Sequence, residues 1–432
     1  MGTSGRIADV VAPIPAQTDV LVVGAGPAGS SAAAWGARHG LSVLLADAAT
    51  FPRDKTCGDG LTPRAIRELE LLGEAEWVRE HHVTRGLRAH GFGQTLHLDW
   101  PSLPGSDIPT WGSAVARTEL DDHLRTVAAA SGATTVDGAK AVDVVMDGDR
   151  VGAVVLQRST EQGTETVEVQ VRWLVVADGV RSTLGKRLGR EWHRDTVYGV
   201  AGRSYVDSKR SDDPYISSHL ELRDPDGALL SGYGWIFPLG DGTVNLGAGA
   251  LATSRRPADL AVKPLMRHYA EQCRDEFELV GQIRSEASAL LPMGGAVSNV
   301  AGRNWALVGD AAACVNPLNG EGIDYGMETG REVAALLAEA DYATDLTAAW
   351  PALLRSHYGE AFSIARRLGG IATNPKVVAA LGPLGMRSDL LMRLALRWMG
   401  NLVTDEDRDV AARLWRLAGR RSVALDARPP FS

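Results

Sequence analysis

Short, unbroken apolar runs that end on glycine or aspartate mark much of this chain. Val20-Leu21-Val22-Val23 is too short for a helix and has no polar face, so it reads as a strand buried on both sides. Gly24-Ala25-Gly26-Pro27-Ala28-Gly29 follows at once. Then come alanine-rich Ser30 to His39, a good helix former, and a second apolar run, Leu41 to Ala46, that stops on Asp47. Trp173 to Ala177 repeats the strand pattern and breaks at Asp178-Gly179, and a later run ends at Val308 and breaks at Gly309-Asp310. Between Tyr198 and Ala252 the texture changes to alternation and turn residues, which predicts an antiparallel sheet. From Leu346 onward the spacing is helical. Leu390, Leu391, Leu394, Ala395, Trp398, Met399 and Leu402 fall on one stripe, with Arg393 and Arg397 at its flank. Such a stripe serves either core packing or contact with a lipid surface.

The glycines carry chemistry. In a strand–loop–helix opening, Gly24 makes the tight turn, Gly26 lets backbone approach a pyrophosphate, and Gly29 lets helix and strand pack closely. Asp47 lies 18 residues beyond Gly29, near the roughly 20-residue offset at which a carboxylate reaches the ribose of an ADP group. Gly309-Asp310, almost 300 residues after the loop, would place a carboxylate where ribityl hydroxyls can donate to it. The small-residue turn that follows, through Asn319-Gly320-Glu321-Gly322-Ile323, would open a helix whose amides face an electron-rich ring. Together these motifs indicate FAD. Asp178-Gly179 taken alone is equally an ordinary turn. Gly247 to Ala252 mimics a second glycine loop, but it ends a strand of the wrong texture and no strand–helix–strand unit follows, so no separate NAD(P) domain is expected.

Composition narrows the setting. At 432 residues with 45% hydrophobic content, the chain calls for more than one core and no extensive disorder. Three cysteines, Cys57, Cys273 and Cys314, make an odd set without metal-ligand spacing, which argues for a reducing compartment and no bound metal. No apolar run approaches 18 residues and Met1 to Thr18 lacks a secretory pattern, so a cytoplasmic protein is expected. Net charge is −8, but Pro351 to Ser432 carries 13 Lys plus Arg against 7 Asp plus Glu, a basic appendage on an acidic body. No nucleic-acid partner is expected.

The glycine loop, Asp178-Gly179 and Gly309-Asp310 in this order resemble the flavoprotein group typified by aromatic-ring hydroxylases. Phe51-Pro52-Arg53-Asp54-Lys55-Thr56-Cys57-Gly58-Asp59-Gly60-Leu61 is similar to the cysteine-glycine loop of the geranylgeranyl reductase family, whose members saturate double bonds of polyprenyl chains. Trp111 to Arg117, Tyr233 to Pro238, Leu291 to Gly295, Cys314 to Asn319 and Arg428 to Ser432 resemble the actinobacterial branch that reduces one isoprene unit of menaquinone, the second from the ring. The resemblance implies an α/β fold with three parts. Residues 18–60, 110–195 and 290–340 would form an FAD-binding Rossmann-like domain of the aromatic hydroxylase or glutathione reductase type. Residues 61–109 and 196–289 would form an antiparallel substrate-binding sheet, and 341–432 a helical region facing a membrane.

Carried onto this chain, the resemblance implies that Gly24, Gly26, Ala28 and Gly29 hold the dinucleotide and Asp47 the adenosine ribose. Cys57, Gly58 and Gly60 would line the flavin, Arg117 its polar portion and Ala141 the adenine, with Asp310, Gly322 and Ile323 at the ribityl chain and ring edge. Tyr233, Trp235, Phe237 and Pro238 would form the substrate wall, although Leu230 stands where the family's motif begins with proline. The implied partners are a lipid-soluble isoprenoid quinone, an unidentified electron donor and the cytoplasmic face of a membrane, touched peripherally.

A polyprenyl double bond has no carbonyl to draw charge, so its reduction needs a well-placed hydride donor and a source of protons. Cys57 is a candidate proton donor or gate, and equally a small packing residue. Tyr233 and Trp235 alternate with Phe237 on one face, which suits a catalytic tunnel or a core. His193 and His219 show no partner spacing and are expected to be structural. Two other readings share the fold: a flavin monooxygenase of aromatics or polyketides, and a reductase of geranylgeranyl diphosphate or phospholipid. A prenyl-binding escort without flavin is a non-enzymatic third.

Overall fold

A computed structural model describes residues 13–102, 105–161, 163–258, 261–404 and 407–432. Residues 1–12 of the N-terminal stretch considered above lie outside these. The aliphatic run at Val20 forms strand Gln17–Val23, and both of its neighbours are parallel: Val23 pairs with Ala46 of Val43–Ala46 and with Val176 of Gly163–Val176. The sheet extends through Thr134–Val136 on one side and Trp305–Leu307 on the other. Apolar runs without alternation are what a parallel sheet covered on both faces requires. Ala139–Asp147 and Arg150–Thr160 hang on the outer half of Gly163–Val176 as an antiparallel meander.

Two helices cross over the glycine loop. Pro27–Arg38 packs on Ile323–Glu339 through residues with almost no side chain, where a Cβ on Gly330 would stand 2.4 Å from the Ala28 carbonyl oxygen. Ser31 Oγ donates to the Met327 carbonyl at 2.7 Å across the same contact. Close approach of this kind holds together strands more than 250 residues apart in sequence, Gln17–Val23 and Trp305–Leu307.

The second sheet has seven strands, in the order Leu279–Pro292, Tyr198–Ser208, Thr243–Ala252, Gly232–Pro238, Tyr215–His219, Gly86–Gly91 and Gln94–Asp99. It departs from the antiparallel expectation at one junction, where Tyr215–His219 runs parallel to Gly86–Gly91. A parallel join needs a long crossover, and here the chain returns through the first layer between the two strands. Leu279–Pro292 continues past the expected boundary at 290, pairing Pro292 with Tyr198.

Beyond residue 340 the chain forms helices Leu346–Ala372, Pro375–Met386, Asp389–Met399 and Val410–Ala424. Arg397, at the flank of the helical stripe, is internal: it is 6% exposed and ion-paired to Asp407 at 2.9 Å and Asp409 at 2.7 Å. Parts of the basic appendage are held by specific contacts, with Arg428 on Asp195, Arg367 on Asp426, and buried Arg366 donating to the Gly294 carbonyl. Burying a guanidinium such as that of Arg366 without a partner would cost several kcal/mol, and the Gly294 carbonyl supplies one.

Candidate active site

A cavity of about 620 Å³ is lined by residues of both sheets and of helix Asp389–Met399. Its polar portion is made by the glycine loop. Gly24 has φ +103°, and a Cβ there would lie 2.4 Å from the Ala177 carbonyl oxygen, so only glycine lets the strand end turn here. A Cβ on Gly29 would lie 1.7 Å from the Gly24 carbonyl oxygen; Gly29 therefore serves helix packing and does not itself line the cavity. Asp47 accepts hydrogen bonds from the Ala25 amide at 2.7 Å and the Ala49 amide at 2.8 Å, which fixes its carboxylate beside the loop.

Two guanidinium groups face Gly26. An added Cβ would stand 3.5 Å from Arg53 Nη2 and 3.9 Å from Arg117 Nη2, in space the glycine leaves open. Both arginines are aimed by Asp121, which accepts from Arg117 at 2.7 and 2.8 Å and pairs with Arg53 at 3.0 Å. Gly26 also caps helix Pro27–Arg38 without any side-chain acceptor, so its first amides are free for a ligand. Ala141, Asp178, Asp310, Gly322 and Ile323 complete this portion of the wall.

The rest of the wall is aromatic and aliphatic. Tyr233, Trp235 and Phe237 all line it from one face of strand Gly232–Pro238, whereas Pro238, next on the opposite face, does not. Trp235 is also a packing residue: a Cβ on Gly247 would lie 2.1 Å from its ring, and one on Gly58 3.4 Å from its Nε1. Its indole donates to Asn245 Oδ1 at 2.9 Å, and the Asn245 amide donates to the Cys57 carbonyl at 3.0 Å and to Asp59 at 2.7 Å. Asp59 is fully buried with φ +61° and accepts from Tyr205 Oη at 2.7 Å and the Arg117 amide at 3.2 Å. Burial pushes its carboxyl above the usual range, against the pull of these donors. The cysteine-glycine loop is thus clamped to the aromatic strand, with Cys57 half-buried at the wall.

Carboxyl groups meet below the aromatic strand. Glu321 lines the cavity, accepts from Thr62 Oγ1, and receives the Asn319 amide at 3.3 Å. Tyr233 Oη donates to the Asn319 carbonyl. Asp324, one turn further on, is wholly buried with neither carboxyl oxygen hydrogen-bonded; its nearest cation is Arg64 at 4.0 Å, which binds Glu328 at 2.6 Å instead.

The FAD binding domain model matches residues 17–359. A menaquinone reductase of Mycobacterium tuberculosis is 59% identical over 416 residues, covering 96% of this chain and 99% of that protein. A digeranylgeranylglycerophospholipid reductase of Methanopyrus kandleri is 30% identical, covering 80% and 87%. The chain belongs to the menaquinone reductase family. Among solved structures, a geranylgeranyl bacteriochlorophyll reductase-like protein of Thermoplasma acidophilum superposes with TM-score 0.68 at 21% identity, covering 95% of this chain and 96% of that one, which reports shared fold.

Membership makes the protein a flavin-dependent oxidoreductase with FAD as cofactor. The donor set fits it: the open face of Gly26 beside Arg53 and Arg117 suits a pyrophosphate, and the free helix amides suit the same charge. The sequence-derived list missed Arg53, Asp59, Asp121, Asn245 and Glu321. Glu321 carried a signal, since it stands between two glycines in a turn already marked as flavin-facing. Asp121 carried a local one, four residues after Arg117 on the same helix, whereas Asn245 carried none, because it acts through Cys57 and Asp59, distant in sequence. Outside the cavity, His219 gains a partner: His90, His219 and Glu276 bring their ligating atoms within 4.8 Å of one another, a cluster of metal-binding type that holds none of the predicted site residues.

Proposed function

We propose that this protein reduces one carbon–carbon double bond of the menaquinone side chain, in the second isoprene unit from the ring. The observation that carries the reading is the continuity of the cavity. The Cys57–Gly60 loop, the aromatic strand and the apolar residues Leu98, Ile216, Met392, Leu396 and Met399 line one space with the cofactor loop. Bound FAD supplies hydride from its central ring nitrogen when reduced. The chain's own task is to align the alkene and exclude water: Tyr233, Trp235 and Phe237 give a rigid wall, and the Asn245–Asp59 clamp holds the Cys57 loop against it. Asp47, Arg53 and Arg117 would orient the dinucleotide portion, Asp310 and Gly322 the ribityl chain.

Substrate would enter from a membrane. Among the described residues no helix is long and apolar enough to cross one. Helix Asp389–Met399, however, lines the cavity with Met392, Ala395, Leu396 and Met399 while leaving Leu390 and Leu391 68% and 52% exposed. Across the turn at Arg387, Leu381 and Leu384 are each 60% exposed, with exposed Lys376 and Arg387 nearby. An apolar ridge beside cations suits insertion among anionic lipids, and its inner face is already the tunnel wall.

Anaerobic incubation of the reduced holoprotein with unsaturated menaquinone, and separately with geranylgeranyl diphosphate, tests the reading. The expected outcome is a gain of two hydrogens by mass spectrometry on menaquinone, with fragmentation placing them in the second isoprene unit. Preference for the diphosphate would move the substrate assignment, and product formation that requires oxygen would replace reduction by oxygenation.

A further inference from the structure

Hydride delivery leaves one carbon of the former double bond in need of a proton, and the cavity wall has few groups able to give one. Glu321 is half-buried and lines the cavity. Thr62 Oγ1 and the Asn319 amide hold its carboxyl in place, and Asn319 is in turn held by Tyr233 of the aromatic strand. Resting on the alkene-reductase reading, we infer that Glu321 is the proton donor to the double bond, positioned by Thr62 and Asn319.

The step balances. The alkene's π pair takes the carboxyl proton of Glu321 to form one C–H bond, and the adjacent carbon takes hydride from reduced FAD to form the other. The flavin is oxidised by two electrons, the alkene is reduced, and the Glu321 carboxylate regains a proton from solvent.

The surroundings keep that proton available. Burial outweighs the opposing pull of the Thr62 and Asn319 hydrogen bonds and the Arg64 guanidinium, leaving the Glu321 carboxyl raised to about 7. The other titratable groups facing it are Tyr233, Tyr325 and Asp324. Burial, and then the nearby Glu321 charge, raise the Asp324 carboxyl well above its usual range. An acid poised near the working pH is both protonated enough to give and weak enough to be reloaded.

Glu321→Gln in the FAD-loaded protein is the test. The expected result is unchanged FAD content and unchanged bleaching by dithionite, with single-turnover alkene reduction lowered about 10²- to 10⁴-fold. In the wild type the rate should fall as pH rises through about 7, and Glu321→Asp should keep that limb at a lower rate. Thr62→Val removes a bond that favours the charged form, so it should move the limb to higher pH. Independently of turnover, an infrared difference titration of oxidised wild type against Glu321→Gln should show a protonated carboxyl that ionises over the same range. Glu321→Gln turning over within tenfold of wild type, with the same pH limb, overturns the donor assignment. So does a carboxylate already ionised at pH 5. Wild type that reduces neither polyprenyl substrate overturns the reductase reading itself, a distinct outcome.

Discussion

Two portions of one cavity are made of different material. The cofactor portion starts from backbone and the absence of side chains at Gly24, Gly26 and Gly29, all within one local unit ending at Asp47, to which Arg53, Arg117 and Asp310 add charge from elsewhere. The lipid portion is made by side chains that converge from distant segments: Leu98 from a hairpin, Ile216 and Phe237 from separate strands, Met392 from a C-terminal helix. Its lining must also be firm, because an aliphatic chain offers no polar handle and can be aligned only by shape. The first portion should therefore fail when atoms are added and the second when they are removed.

The largest effect is expected in the aromatic wall. Trp235→Ala removes a ring sandwiched between Gly58 and Gly247 and should cost about 3–5 kcal/mol, read as a fall in denaturation midpoint together with loss of alkene reduction. A stability change under about 1 kcal/mol would mean that the wall is lining without packing, and the contrast would weaken. Next comes Gly29→Ala, whose Cβ would meet the Gly24 carbonyl oxygen at 1.7 Å. Overpacking of about 1–3 kcal/mol is concentrated on the glycine loop, so the purified protein should be pale, with flavin absorbance per chain well below wild type. Full flavin content would break the claim that this portion tolerates no added atoms.

A smaller effect separates the outer ridge from both. Leu390→Asp with Leu391→Asp should leave stability within about 0.5 kcal/mol, since both side chains are exposed, yet lower binding to anionic vesicles at least about tenfold. Retained binding would return the helix to a purely internal role. The smallest effect lies at residues of the second sheet that do not line the cavity and serves as its control. Burial, and then the His219 ring stacked 4.3 Å away, lower His90 from 6.5 to about 4. The folded protein then binds fewer protons than the unfolded chain between these values, so stability present above pH 6.5 should decline as pH falls toward 4. His90→Gln should flatten that decline in a denaturation series without altering the limb assigned to Glu321.

The same contrast explains what could be read early. The strand at Val20, the loop and Asp47 obey rules of local geometry, so their order alone identified the dinucleotide site and the layer around it. The resemblance around Cys57 and Tyr233 pointed to residues that line the cavity, yet not to why they are held, because Asn245 and Asp59, 186 residues apart, meet only when the Cys57–Gly60 loop docks on the second sheet. The C-terminal stripe was recognisable as a helix but not as a surface. Its cavity-facing residues, Met392, Ala395, Leu396 and Met399, are rotated from the expected set, and Arg397 is internal. Helical periodicity gives a face without saying what that face meets.

By itself, the order of residues determined the cofactor loop, the parallel sheet that carries it and the chemical class of the site, because glycine conformations and apolar runs act over a few neighbours. The tertiary structure alone decided which side chains surround the apolar portion of the cavity, how Arg366 and Arg397 are held inside, and that Glu321 lines the cavity with a raised carboxyl. Those properties depend on burial and on contacts between segments tens to hundreds of residues apart, and desolvation, the force that raises Glu321, exists only once the chain has closed around it.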